Sequence, residues 1–385
     1  MKKIYLLLVR LARLAFGAKK AQYQVAYFMS FAGNETFIRE LVKQFGSDEV
    51  LIVYKTNVKE NVLQLQQGHI IKHAIEFKKF QVTSFVKGIK LARVTLFDNY
   101  YPELSAINKT KKDYFIQMWH ANGAIKAFGW EDPSTYHRSV EDQQRFQRVY
   151  DSFDQIVVGS EKMADVFQRS WHVASDKIDR IGYPRTDKYF EESWIEKARK
   201  KIQTKLPELT QKRVILYAPT YRKDVSFSLP DDWRKIKVPQ DTVLIVRLHP
   251  HLANVERQIV DASPDRVIMV DHFISTQELL CVADTLITDY SSIAFDFSLL
   301  DNARSVIFFT YDLEEFERTV GIQASFKAAF LNQMVNTVEQ LNDAILFGNS
   351  DKNVIHKLNQ QWNTLNDGHS SARLIKQVKG RCTDE

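Results

Sequence analysis

Two separate series of short β-rich runs alternate with helical patterns along this chain, and that alternation restricts the fold more than any other feature. The first series reads QVAYFMSF (24–31), EVLIVYK (49–55), ARVTLFD (92–98), DYFIQMWH (113–120) and QIVVGS (155–160). The second reads RVILYAPT (213–220), TVLIVRLHP (242–250), RVIMVD (266–271), TLITDYSS (285–292) and SVIFFTYD (305–312). Strands alternating with helix-length segments argue for parallel sheets built from βαβ units. A polar helical stretch, EESWIEKARKKIQTKLPELTQKR (191–213), separates the series, and 385 residues are too many for one comfortable core. The expectation is an α/β protein of two Rossmann-type, doubly wound domains, residues 21–195 and 196–385, with a cleft between them. Ligands of such sheets sit outside the carboxyl ends of the strands, where the chemistry-bearing motifs of this chain fall.

The first 20 residues, MKKIYLLLVRLARLAFGAKK, carry Lys2, Lys3, Arg10, Arg13, Lys19 and Lys20 and no acid. Arg10 interrupts the apolar run too early for a spanning helix, and no small-residue cleavage site follows. On a helical wheel Lys3, Arg10, Arg13 and Lys20 gather on one side and Leu7, Leu8, Leu11, Leu14 and Ala15 on the other. That pattern predicts an amphipathic helix over 1–20 lying on an anionic membrane surface. The competing reading is an ordinary helix packed on the protein's own core. A formal net charge of +6 agrees with an anionic partner. Outside the N-terminus the basic residues are scattered rather than interleaved with aromatics on one element, which argues against nucleic acid. The two cysteines, Cys281 and Cys382, form no metal-binding or redox spacing, so the expectation is a reducing, cytoplasmic setting with no disulfide and no zinc.

His120 ends the strand YFIQMWH and is followed by the small, flexible ANGAIKAFG. A histidine at a strand exit can take a proton from an attacking hydroxyl, or it can simply cap a turn. In RLHPHL (247–252), Arg247 and His249 share one face if the strand alternation continues, so both could reach one phosphate. His251 and His272 would be needed for a metal; phosphate contact or helix capping is the stronger reading, and no metal or cofactor is expected. YAPTYR (217–222) offers Thr220 and Arg222, and GYPRTD (182–187) offers Arg185 and Asp187. In LITDYSSIAFDFSLL (286–300), an apolar strand delivers Asp289, Ser291 and Ser292 to a helix start, where unpaired amides and the helix dipole favour an anion. Plain capping is the alternative there. GxGxxG and GxxxxGK[ST] are absent, so neither a nicotinamide dehydrogenase nor a P-loop ATPase is supported, and a GxSxG elbow is absent too.

The segments WHANGAIKAFG, VVGSEKMADVF, IGYPRTD, ILYAPTYR, RLHPH and LITDYSSIAFDFSLLDNARSVIFFTYDLEEF occur in one order over residues 90–320. In that order they resemble the CDP-glycerol glycerophosphotransferase family of Gram-positive bacteria, which builds wall teichoic acid. The resemblance implies a GT-B-like fold, a peripheral position on the cytoplasmic face of the membrane and an undecaprenyl-linked acceptor. Polymerases of the family usually carry a long extra N-terminal region and have WHG followed by Thr-Pro. The short basic helix and the WHANG sequence here resemble instead the priming members. Those transfer one sn-glycerol 3-phosphate from CDP-glycerol to the ManNAc of a lipid-linked GlcNAc-ManNAc disaccharide, releasing CMP.

The resemblance further implies His120 as general base and His249, with Arg247, as the pair stabilising the pyrophosphate. Ser291, Ser292, Asp289, Thr220, Arg222 and Arg185 would line the CDP-glycerol site; Asp98, Asn99 and Asn122 would form the acceptor pocket. The last helix can pack back on the N-terminal domain. The alternatives are a family member that extends an already primed acceptor with glycerol or ribitol phosphate, a GT-B glycosyltransferase, and, more distantly, a basic membrane-associated binding protein.

Overall fold

A computed structural model of the chain describes residues 2–16, 21–78, 81–220, 229–249, 252–348 and 352–383. Both expected series of strands form parallel sheets. The first sheet contains β1 (Tyr23–Met29), β2 (Val50–Tyr54), β3 (His73–Glu76), β4 (Ala92–Phe97), β5 (Tyr114–Gln117), β6 (Gln155–Val157) and β7 (Ile178–Asp179), in the order β3-β2-β1-β4-β5-β6-β7. The second contains β8 (Arg213–Tyr217), β9 (Thr242–Val246), β10 (Val267–Met269), β11 (Thr285–Thr288), β12 (Ser305–Phe309) and β13 (Met334–Val335), in the order β10-β9-β8-β11-β12-β13. All pairs are parallel. Each sheet reverses its order of winding once, between β1 and β4 and between β8 and β11. Those are the switch points at which doubly wound sheets bind ligands.

The central strands form because both of their faces are covered. Every residue of β2 and β9 is buried, as a parallel sheet flanked by helices requires. Around the second sheet Ile215, Tyr217, Leu244, Val246, Ile287, Ile307, Phe309 and Trp233 make one continuous core. On the first sheet the helix Val82–Lys90 approaches so closely that a Cβ at Gly88 would lie 2.6 Å from Val53 and 2.8 Å from Phe28.

The chain divides into two compact units. One holds residues 1–120, 135–187 and 365–385, and the other holds 121–134 and 188–364. The C-terminal helix Ser370–Thr383 therefore belongs with the first sheet. Its start is fixed there by Asp187, whose carboxylate accepts from the amides of Ser370 (3.1 Å) and Ser371 (2.6 Å). Leu365 N–H donates to the Gly159 carbonyl, and Asn366 accepts from the Tyr183 amide.

The N-terminal helix spans Lys2–Ala15 among the described residues; Lys19 and Lys20 lie outside them. Its docked face is partly polar. Tyr5 donates to Glu103 at 2.7 Å, and Arg13, 5% exposed, makes an ion pair with half-buried Asp113. Arg13 thus leaves the set of surface cations to which the wheel assigned it, because a carboxylate 100 residues away captures it. Ile4, Leu7, Leu8, Leu11 and Leu14 point outward and are exposed. No described helix is long and apolar enough to cross a membrane.

Candidate active site

At the switch point of the first sheet, β4 delivers Asp98 fully buried to the loop that follows β1. Its carboxylate accepts from Ser30 N–H (2.7 Å), Ser30 Oγ (2.8 Å) and Phe31 N–H (2.9 Å), and from the Tyr101 hydroxyl at 3.3 Å. Burial pushes its pKa up to about 6, against the opposing pull of those hydrogen bonds and of Lys55. The Asp98 side chain is therefore used inside the protein. Its backbone carbonyl lies 3.1 Å from His120 Nδ1. A carbonyl oxygen only accepts, so His120 Nδ1 is the donor in that contact.

His120 is further held by a ring stack on Phe31, at 4.0 Å and 9°. The preceding Trp119 has φ +58°, a left-handed conformation that costs a bulky residue about 1–3 kcal/mol and concentrates at functional sites. It is held there by its amide, which donates to Gln117 Oε1 at 2.8 Å, while Gln117 Nε2 donates to the Asn99 carbonyl at 3.0 Å. Asn99 Oδ1 accepts from the Tyr100 amide. Phe31 and Gln117 are the residues here that sequence reasoning missed. Gln117 ends β5 and Phe31 lies in the loop just past β1, which was the available signal, but neither carries a titratable group to attract notice.

Asn122 lies in the second unit, two residues past the crossing at His120. It is fully buried and donates to Asn363 Oδ1 at 2.8 Å; Asn363 in turn donates to the Phe295 carbonyl at 2.9 Å. Gly123, at φ +73°, passes so close to Phe295 that a Cβ would lie 2.5 Å from its ring. Arg185 is nine-tenths buried and belongs to the first unit, whereas Thr220, Arg247, His249, Asp289, Ser291 and Ser292 belong to the second.

In the second unit the switch point repeats the device of the first. Asp289, after β11, accepts from the Thr220 amide (2.7 Å) in the loop after β8, and from the Tyr290 amide (2.6 Å). Ser291 and Ser292 are half-buried at the start of Ile293–Phe297, a helix of only five residues. A single turn has little summed dipole, so the expected helix-dipole attraction is weak here. Ser292 makes no side-chain cap, and Ser291 Oγ lies a long 3.4 Å from the Ile293 amide.

Arg247 and His249 do not follow the strand alternation, because β9 ends at Val246. Arg247 is 3% exposed and donates to the Asp271 carbonyl at 3.2 Å, while His249 is exposed. Burial lowers the Arg247 pKa, opposed by Glu256 and Asp271. Glu256, fully buried, was not anticipated: its carboxylate accepts from the Leu248 amide at 2.7 Å and lies 3.6 Å from His272 Nε2, pinning the turn that carries His249. Burial raises the Glu256 pKa, and burial together with Arg247 lowers that of His272. Arg222 and His251 lie outside the described residues.

Residues 10–380 match the family model described as CDP-Glycerol:Poly(glycerophosphate) glycerophosphotransferase. The chain is 31% identical over 373 residues to a teichoic acid glycerol-phosphate primase of Bacillus subtilis (strain 168), covering 92% of this chain and 94% of the relative. It is 27% identical to the Staphylococcus aureus (strain NCTC 8325 / PS 47) protein of the same name, over 98% of this chain and 97% of that one. In fold it matches the wall teichoic acid polymerase TagF, with a TM-score of 0.74 at 19% identity, covering 100% of this chain and 96% of that chain. A putative UDP-N-acetylglucosamine 2-epimerase from Listeria monocytogenes shares the fold at TM-score 0.64 and 14% identity, over 95% of this chain and 98% of that one. The chain belongs to the CDP-glycerol:poly(glycerophosphate) glycerophosphotransferase family and is a transferase of teichoic acid synthesis.

Proposed function

We propose that this family member is a priming enzyme: it transfers one sn-glycerol 3-phosphate from CDP-glycerol to the ManNAc of undecaprenyl-diphosphate-linked GlcNAc-ManNAc and releases CMP. The acceptor hydroxyl loses its proton to His120 Nε2 as its oxygen attacks the β-phosphorus in line. The bond from that phosphorus to the bridging oxygen breaks, and the electron pair leaves with CMP. Such a transfer depends on positioning and on charge stabilisation at the phosphoryl oxygens. Exposed His249 contacts the pyrophosphate, with Arg247 behind it supplying positive charge. The hydroxyls of Ser291 and Ser292 donate to phosphate oxygens. Asp289 and Thr220 shape the same wall, with Arg222 and Arg185 as further donor contacts.

The observation that carries this reading is the fixed His120 ring: its Nδ1 is taken by the Asp98 carbonyl, which leaves Nε2 as the nitrogen to serve as the base. Full-length similarity to relatives named as glycerol-phosphate primases supports the priming step. The outward leucines of the helix Lys2–Ala15 support attachment to an anionic membrane surface, on the cytoplasmic face where CDP-glycerol is available.

The test is CMP release from CDP-glycerol with a short-chain lipid analogue of GlcNAc-ManNAc, run beside the same analogue already carrying one glycerol phosphate. Turnover of the unprimed acceptor that stops after one addition is expected. Turnover of the primed acceptor alone would make the protein an extending transferase.

A further inference from the structure

The helix Lys2–Ala15 shows an inverted arrangement. Tyr5, Val9 and Arg13 face the protein, held by Glu103 and Asp113, while Ile4, Leu7, Leu8, Leu11 and Leu14 form one stripe between 48% and 72% exposed. At 100° per residue, Lys3 and Arg10 lie on the flank between the two faces. Across that flank stands the helix Val140–Asp151. The two helices enclose a pocket lined by Lys2, Lys3 and Leu6 on one wall and Glu141, Asp142, Arg145 and Arg148 on the other.

Four cations therefore meet two carboxylates. Asp142 is held by Arg145 and by Lys2 at 3.3 Å, and Lys3 reaches Glu141 at 2.7 Å in a pair whose side chains are 85% and 69% exposed. An exposed pair of this kind contributes little, so a stronger anion can displace it. Arg148 is exposed and has no ion pair among the described residues. Just before this wall Tyr136 and Val140 are also exposed, at 69% and 67%, adding apolar surface on its outer side.

An apolar stripe of this size is unusual on a surface with no partner. With the stripe at the boundary of headgroups and acyl chains, the flanking pocket lies at the depth of the lipid phosphates. We propose that this pocket binds the phosphate of an anionic glycerophospholipid between Lys2 and Lys3 on one helix and Arg145 and Arg148 on the other. The site fixes how the protein is turned on the membrane, in addition to holding it there. This inference rests on the membrane attachment proposed above.

The test is cosedimentation of the full chain with vesicles of phosphatidylcholine alone or mixed with phosphatidylglycerol. The intact protein should prefer the mixed vesicles by about tenfold or more, the scale of a few basic residues at an anionic surface. Lys3→Ala/Arg148→Ala should lose most of that preference while binding neutral vesicles as before, and Leu7→Ser/Leu11→Ser should weaken binding to both. Arg145 is left intact because it also braces Asp142 and lies over the Phe146 ring. Dihexanoylphosphatidylglycerol below its micellar concentration should compete for the site, and inorganic phosphate at the same concentration should not. Equal loss from the exposed pair Lys111→Ala/Lys112→Ala would replace the pocket by diffuse attraction, and an unchanged preference in Lys3→Ala/Arg148→Ala would remove it. Either result leaves membrane attachment standing. If the intact protein binds neither vesicle, attachment and pocket fall together.

Discussion

At the scale of single residues, the first sheet's switch point joins the His120 ring and the buried Asp98 through one backbone carbonyl. Replacing His120 with Ala should lower turnover by about 10²- to 10⁴-fold, the range for a lost general base, while CDP-glycerol binding measured by calorimetry stays within a few-fold. Turnover retained in that variant would return His120 to a turn-capping role. Asp98 carries a separate prediction. Its folded pKa of about 6 lies above the value near 3.8 of a free carboxyl, so the folded state holds the proton more tightly. Stability should therefore fall as pH rises from about 4 to about 6 and then level off, by on the order of 2–3 kcal/mol. Asp98→Asn should flatten that segment of the profile in urea melts across this pH range; the same slope in the variant would assign it elsewhere. Candidate residues such as His120, His249, Ser291 and Ser292 could be singled out in the sequence because their residue types announce chemistry. Glu256 and Phe31 were not, since a helix glutamate and a loop phenylalanine look ordinary until their neighbours are known.

At the scale of elements, strands were legible where apolar β-branched runs are long, as in β2 and β9. Their ends were harder to read. The alternation in RLHPH suggested one shared face, but β9 stops at Val246, and Arg247 turns inward to the Asp271 carbonyl. Likewise LITDYSS was read as a strand feeding a helix, and the helix is a single turn. The loop at Gly123 gives a direct test of close packing in the second unit. Gly123→Ala would need a left-handed φ for a residue with a Cβ and would press that Cβ into the Phe295 ring. A loss of about 2–4 kcal/mol in thermal or urea unfolding is expected, and a variant as stable as the parent would mean that Phe295 moves aside at no cost.

At the scale of the whole molecule, the two sheets share one order over six strands, with β7 added to the first, and one local device. An aspartate after β4 or β11 ties down the loop after β1 or β8, through Ser30 and Phe31 in one unit and Thr220 in the other. The first unit is completed only by residues 365–385, docked through Asp187. Asp187→Ala leaves two buried amides without their acceptor, which should cost about 2–3 kcal/mol. It should also expose the C-terminal helix, so limited trypsin digestion should cut at Lys376, Lys379 or Arg381 sooner than in the parent. Equal digestion rates would show that Arg373 and the Leu365–Gly159 contact hold the segment unaided.

The sequence by itself determined the parallel α/β architecture, the placement of the motifs at strand ends and the leucine stripe of the first helix. All three depend on short periods, which neighbouring residues set. Only the tertiary structure decided which polar groups are spent inside the protein and which remain for a ligand. Asp98 meets Ser30 across 68 positions, Asp289 meets Thr220 across 69, and Arg13 meets Asp113 across 100. Partners so distant leave no local pattern, because burial and hydrogen bonding are settled by which strands lie side by side.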